Sequence, residues 1–193
     1  MATFDKPDWV KEFLCILLKQ KLTYIDENLK GLPFDLIETG GGAASNTVIS
    51  PAIHEEFCLP FDRIMHDALH SLGYKVVYHT CGGMTKILDC ILANHCDVSE
   101  TLSPAGVGGD IFRDSDARLI CIKLHPHLAL IGGMDQFNIL EKGTPIQIEE
   151  EVGRLFTLFG KDGGYILSAS DHFFEVPPEN LKVFANAAGN YVY

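Results

Sequence analysis

Lys75-Val-Val-Tyr-His-Thr-Cys-Gly-Gly83 opens on a short apolar run, Val76-Val77-Tyr78, and ends on two polar side chains and two glycines. The run reads as a buried strand. His79 and Cys81 follow its end one residue apart. Beside extended backbone, positions i and i+2 project to the same side, so the imidazole and the thiol can converge on one point. That arrangement suits two ligands of a borderline metal such as zinc. It equally suits a neutral histidine and a packed cysteine at a strand end.

Upstream of this strand, Val10, Phe13, Leu14, Leu17, Leu18, Leu22, Ile25 and Leu29 keep helical spacing from Pro7 to Leu29. Gly31 and Pro33 stop that helix, and Phe34–Thr39 reads as a strand. Gly40-Gly-Gly-Ala-Ala-Ser-Asn46 reads as a loop too flexible for the core. Ser50-Pro51 opens a second helix, expected to run unbroken to about Leu72. Its apolar face carries Phe57, Phe61, Ile64, Met65, Ala68 and Leu72, which leaves His66 and His70 on the solvent side.

Downstream, a helix is expected at about 83–95, then a polar strand at 97–102. A Gly-rich loop at 104–109 leads to a helix at about 114–124. His127–Gly132 is a buried strand, and Thr144-Pro-Ile-Gln147 is a capping box opening a helix to Phe159. Gly164–Ser168 is the last strand, and Pro177-Pro178 opens the last helix. Short apolar strands separated by helices are the pattern of parallel βα units. The strand ends carry Glu38, His79 with Cys81, Glu100, Asp135 with Gln136, and Ser168 with Asp171 and His172. In a βα barrel this is the face where sites are built. An eight-unit barrel takes about 250 residues, whereas 193 residues here hold five strands. The expectation is an open sheet or part of a barrel.

The net charge of −11 argues against nucleic acid or an anionic membrane surface as partner. No apolar run approaches the roughly 20 residues of a membrane span, and the N-terminus lacks a signal-peptide pattern, so a cytoplasmic location is expected. Cys15, Cys58, Cys90, Cys96 and Cys121 read as buried free thiols. Phosphate-loop, dinucleotide and nucleophile-elbow motifs are absent, Gly106-Val-Gly-Gly109 having the wrong spacing. His54-Glu-Glu-Phe-Cys58 lacks the second histidine of a zinc-protease helix. Asp171 and His172 follow a strand on the same expected face as His79 and Cys81. Either suits a third metal ligand, and Asp171 equally suits a local backbone cap.

Five stretches, taken together and in order, resemble the C-terminal half of the uroporphyrinogen decarboxylase family. They are Ile49-Ser-Pro51, Tyr78-His-Thr-Cys-Gly82, Ala129-Leu-Ile-Gly-Gly-Met-Asp135, Gly163-Gly-Tyr-Ile-Leu167 and Pro177-Pro-Glu-Asn180. The likeness is greater to the family's cobalamin-linked methyltransferase branch. It implies an α/β fold of partial TIM (β/α)8 type, with residues 1–193 as one domain holding about the last five units and truncated on its N-terminal side. In that branch a His-x-Cys and a later Cys bind zinc, which presents a substrate thiolate to a methyl-corrinoid. The resemblance makes His79 and Cys81 ligands, with Asp171 or His172 standing where the later Cys is missing. Glu38, Glu100, Asp135, Gln136 and Ser168 would then line the substrate pocket. The implied partners are a small thiol, a corrinoid protein, and the missing N-terminal half or a second copy. The decarboxylase branch would instead take a tetrapyrrole without a cofactor, using arginines of the other half. A non-catalytic part-barrel that associates through its open edges is the third possibility.

Overall fold

A computed structural model describes residues 2–191. After one turn, α1 (Ala2–Asp5), the chain enters α2 (Pro7–Asn28), where proline occupies a first-turn position whose N–H has no helical partner. Leu14, Leu18 and Leu22 of α2 are half-buried and Ile25 is buried. Trp9, Phe13, Ile16, Leu17 and Tyr24 form a second apolar stripe that stays exposed, with the Trp9 and Phe13 rings stacked 5.7 Å apart. β1 (Leu36–Gly40) follows. The glycine-rich segment after it contributes to the core, contrary to expectation: it winds into a 3-10 turn, Gly42–Ala44, and Ala44 and Ser45 are buried.

The helix expected from Pro51 to Leu72 is two helices, α3 (Pro51–Phe57) and α4 (Leu59–Ser71). Pro60 has no N–H to offer the preceding turn, so the chain breaks at Cys58 and restarts. The restart changes which side faces inward. Ile64 is 48% exposed, while His66 is fully buried, so the expectation of a solvent-side His66 is corrected. His66 Nδ1 lies 2.7 Å from the Asn94 carbonyl and its Nε2 2.8 Å from Thr39 Oγ1. His70 is partly buried and paired with Asp97 at 2.7 Å.

The chain continues through β2 (Lys75–His79), α5 (Leu88–Ala93), β3 (Val98–Thr101) and α6 (Asp114–Leu124). It ends with β4 (Ala129–Met134), a π-helical turn at Gln136–Glu141, α7 (Pro145–Phe159), β5 (Tyr165–Ala169) and α8 (Pro178–Ala188). The Thr144–Gln147 capping box forms as the spacing predicts. The helix expected from residue 83 begins only at Leu88. Of the five cysteines expected to be buried, only Cys96 is; Cys58, Cys90 and Cys121 are half-buried and Cys15 is exposed, and all six are free.

All five strands are parallel, in the order β1-β2-β3-β4-β5. Neighbouring strands in space are therefore neighbours in sequence, as in an arc of a βα barrel and unlike a doubly wound sheet. Gly132 is required in this sheet, since a Cβ there would sit 1.7 Å from the Thr101 carbonyl oxygen. Along β2, Val76 and Tyr78 point into the helical layer, where Ile91, Ile120, Leu124, Ile148 and Val152 complete the core. Val77 and His79 point to the opposite face. On that face Leu36 and Ile166 remain exposed at 42% and 47%. Among the described residues, β1 and β5 each pair on one side only. No helix among them is long and apolar enough to cross a membrane.

Candidate functional site

Register brings the strand ends together. His79 ends β2, with Gly40 beside it on β1 and Glu100 beside it on β3. Two residues back along β1, Glu38 projects to the same face. His79 Nδ1 lies 3.1 Å from Glu100 Oε2 and 4.0 Å from Glu38 Oε1. One ligand atom of each of Glu38, His79 and Glu100 falls within 4.8 Å of the other two. The hydrogen bond to Glu100 raises the His79 pKa above that of a free imidazole, outweighing burial, and the Glu38 charge adds to the effect.

Cys81 lies on the loop after this strand. Thr80 N and Oγ1 both donate to the Glu100 carbonyl at 2.9 Å, tying the loop's first residue to β3. The Cys81 thiol donates to Asp171 Oδ2 at 2.8 Å, and this bond, with burial, pushes its pKa up to about 11. Burial would raise Asp171, yet the hydrogen bonds from Cys81 and His172 outweigh it and hold the carboxyl below its usual value. His172, largely exposed, lies with Nδ1 2.7 Å from Asp171 Oδ1.

The four metal-ligand candidates of the sequence thus fall into two groups. His79 stands with Glu38 and Glu100, and Cys81 stands with Asp171 and His172. The register adds Glu38 and Glu100 to His79, an association whose only trace in the sequence is the similar place of each residue at its strand's end. Ser168 stands opposite Gly133 on β5. Asp135 is buried, accepting from the backbone N–H groups of Phe137 and Asn138 and from the Asn138 side chain. Gln136 is buried too, its Oε1 accepting from Ser170 Oγ at 2.8 Å.

An imidazole, carboxylates and a thiol are donors that zinc accepts, and three of them would leave one position of a tetrahedral site for a substrate atom. Cys81 would have to surrender its proton to join them.

A family model described as uroporphyrinogen decarboxylase (URO-D) matches residues 2–191. The chain belongs to the uroporphyrinogen decarboxylase family. A URO-D relative, the uroporphyrinogen decarboxylase of Pseudoalteromonas atlantica, is 30% identical over 162 residues, which is 81% of this chain and 40% of that protein. A methyltransferase from Methanosarcina mazei superposes with a TM-score of 0.75 at 18% identity, over 98% of this chain and 51% of its own. That likeness establishes the fold: the parallel sheet and its helices match a partial TIM-type barrel. This URO-D chain spans about half the length of these two proteins or less. Its Arg154 is held by Glu151 and Asp114 at 2.7 Å. Arg118 lines a cavity of about 1130 Å³ with Leu36, Lys75 and Asp97, at the strand ends opposite His79.

Proposed function

We propose that the His79 end of the sheet is a zinc half-site of the methyltransferase type, acting on a small thiol. The observation that carries this reading is the His79 imidazole set between Glu38 and Glu100, with the Cys81 thiol two residues on. Zinc bound there would supply a Lewis acid that keeps a substrate thiol ionised at neutral pH. His79 and Cys81 would hold it, with Glu100 or Glu38 as a further oxygen donor. Glu100 orients the imidazole through its 3.1 Å contact, and Asp171 receives the Cys81 hydrogen bond until the thiol ionises. The methyl donor is a methyl-corrinoid, and a full pocket needs the rest of the barrel.

Zinc content of the purified protein beside His79→Ala and Cys81→Ser tests this. A loss of zinc in both variants is expected; equal zinc in all three overturns the reading. Incubation with methylcobalamin and a small thiol then tests the reaction class. A porphyrinogen decarboxylated in a parallel sample would favour the decarboxylase instead.

A second reading rests on the free edges of β1 and β5 and the exposed stripe Trp9, Phe13, Ile16, Leu17 and Tyr24. Uncovered parallel edges and an apolar helix face favour association with a second copy or a complementing half-barrel. Light scattering tests it, and a monomer that unfolds cooperatively overturns it.

A further inference from the structure

Both glycine-rich loops, Gly40–Asn46 and Gly106–Gly109, converge on the loop that carries Cys81. Asn46 N donates to the Gly83 carbonyl at 2.8 Å, and Asn46 Oδ1 accepts from Lys86 N at 3.1 Å. Asp110 follows the second loop and supplies the densest contacts. Its Oδ1 accepts from Met84 N at 3.0 Å, and its Oδ2 accepts from Thr85 N at 3.0 Å and Thr85 Oγ1 at 2.6 Å. The same Oδ2 accepts from Asn46 Nδ2 at 3.0 Å, so one carboxylate joins three strand-end loops.

The glycines make this closeness possible. A Cβ on Gly83 would lie 2.6 Å from Asn46 Nδ2 and 3.0 Å from Asp110 Cγ. A Cβ on Gly109 would lie 1.8 Å from the Ser103 carbonyl oxygen, so only glycine lets the chain turn there and deliver Asp110. The Cys81 loop is therefore gripped at both ends, at Thr80 by the Glu100 carbonyl and at Met84 and Thr85 by Asp110.

We infer that Asp110 is a positioning residue that fixes the far end of the Cys81 loop, whose near end is tied beside Glu100, so that the Cys81 thiol can join the His79 imidazole on one metal ion. This inference rests on the zinc reading above. Asp110 touches neither ligand and acts by fixing the backbone three and four residues after Cys81. Partners behind the ligands of metal sites commonly change affinity 10–100-fold.

Cobalt(II) is the probe, because thiolate ligation gives it a strong near-ultraviolet charge-transfer band. Wild type, Asp110→Ala, Asp110→Asn, Asp116→Ala and Cys81→Ser are titrated with cobalt(II), and thermal unfolding of each is recorded. Asp110→Ala is expected to bind cobalt about 10–100-fold more weakly and to lose the thiolate band. Asp110→Asn, which keeps one acceptor oxygen, should recover part of both, and it carries the comparison if the alanine variant does not fold. Asp116 caps α6, its carboxylate accepting from the Phe112 and Arg113 N–H groups at 3.0 Å, so Asp116→Ala should lower the unfolding temperature without changing the band. An unchanged band and affinity in Asp110→Ala or, where only that variant folds, in Asp110→Asn overturns the inference while leaving the zinc reading intact. A wild type that shows no thiolate band overturns both.

Discussion

Tyr78 and His79 are chain neighbours on β2, and they serve opposite faces of the sheet. Tyr78 points into the helical layer, where its hydroxyl donates to Asp62 Oδ2 at 2.7 Å and lies 3.1 Å from His54 Nε2. His66 packs edge-on against the same ring. Burial lowers the pKa of His54, lowers that of His66 to about 4, and raises that of Asp62 to about 6. His79, on the other face, meets Glu100 and Glu38, and its pKa rises. The same imidazole is thus kept neutral behind the sheet and biased toward its cation in front of it. Burial decides the first case and the hydrogen bond to Glu100 decides the second, with neighbouring charge adding to it. The helical face uses its polar groups to fix packing, whereas at the strand ends His79 and Glu100 are only partly buried and Glu38 is exposed.

The comparison predicts where mutations will be felt. The largest effect belongs to His66→Ala, which empties a fully buried position, strands the Asn94 carbonyl and leaves the Thr39 hydroxyl only the Val77 carbonyl. A loss of about 3 kcal/mol in urea unfolding is expected, with no change in metal binding.

Asp62→Asn comes next. A carboxyl with a raised folded pKa contributes stability that is fully present below its unfolded pKa, near 3.8, and is lost as pH rises through about 6. His66 has the opposite sign: its contribution is present above 6.5 and is lost as pH falls through about 4. In the wild type the two slopes oppose each other between pH 4 and 6. Asp62→Asn removes the first slope, so its stability relative to wild type should rise by roughly 2–3 kcal/mol from pH 4 to pH 7. Unfolding curves taken across that range check the sign, and parallel curves for the two proteins would refute it.

Glu100→Gln is milder for stability, on the order of 1 kcal/mol or less for a partly exposed pair. Its signature is at His79: the imidazole's NMR titration midpoint should move down toward the ordinary value. With Glu100 present, the His79 contribution is fully present below pH 6.5 and is lost as pH rises through the raised folded pKa. Smallest of all, Trp9→Ala should change monomer stability by about 0.5 kcal/mol, because the ring is 57% exposed. It should nevertheless reduce any association that light scattering detects.

Much of this was legible in the residues. The five strands and the capping box at Thr144 follow from short-range rules, since apolar runs and side-chain caps act over a few residues. His66 was not legible, because its burial depends on the break at Cys58 and Pro60, which turns α4 relative to α3. The late start of α5 depends on Asp110, which lies 25 residues away from Thr85 and holds Met84 and Thr85 in turns. His79 and Cys81 stood out by spacing alone. The placement of Glu38 and Glu100 beside His79 required the parallel register, a tertiary fact that no local pattern encodes.

The strictly sequential strand order bears on how the fold opens. Each strand exchanges hydrogen bonds only with the strands before and after it in the chain. A structure built from nearest-neighbour units can fray from either end without disturbing its middle. Amide hydrogen exchange should therefore be graded, slowest in β3 and β4 and fastest along the outer edge of β1, where burial is also least. His79 sits one strand in from that edge. The first segment to loosen would be the one carrying Glu38, so the metal candidate would lose an acidic neighbour long before it lost Glu100.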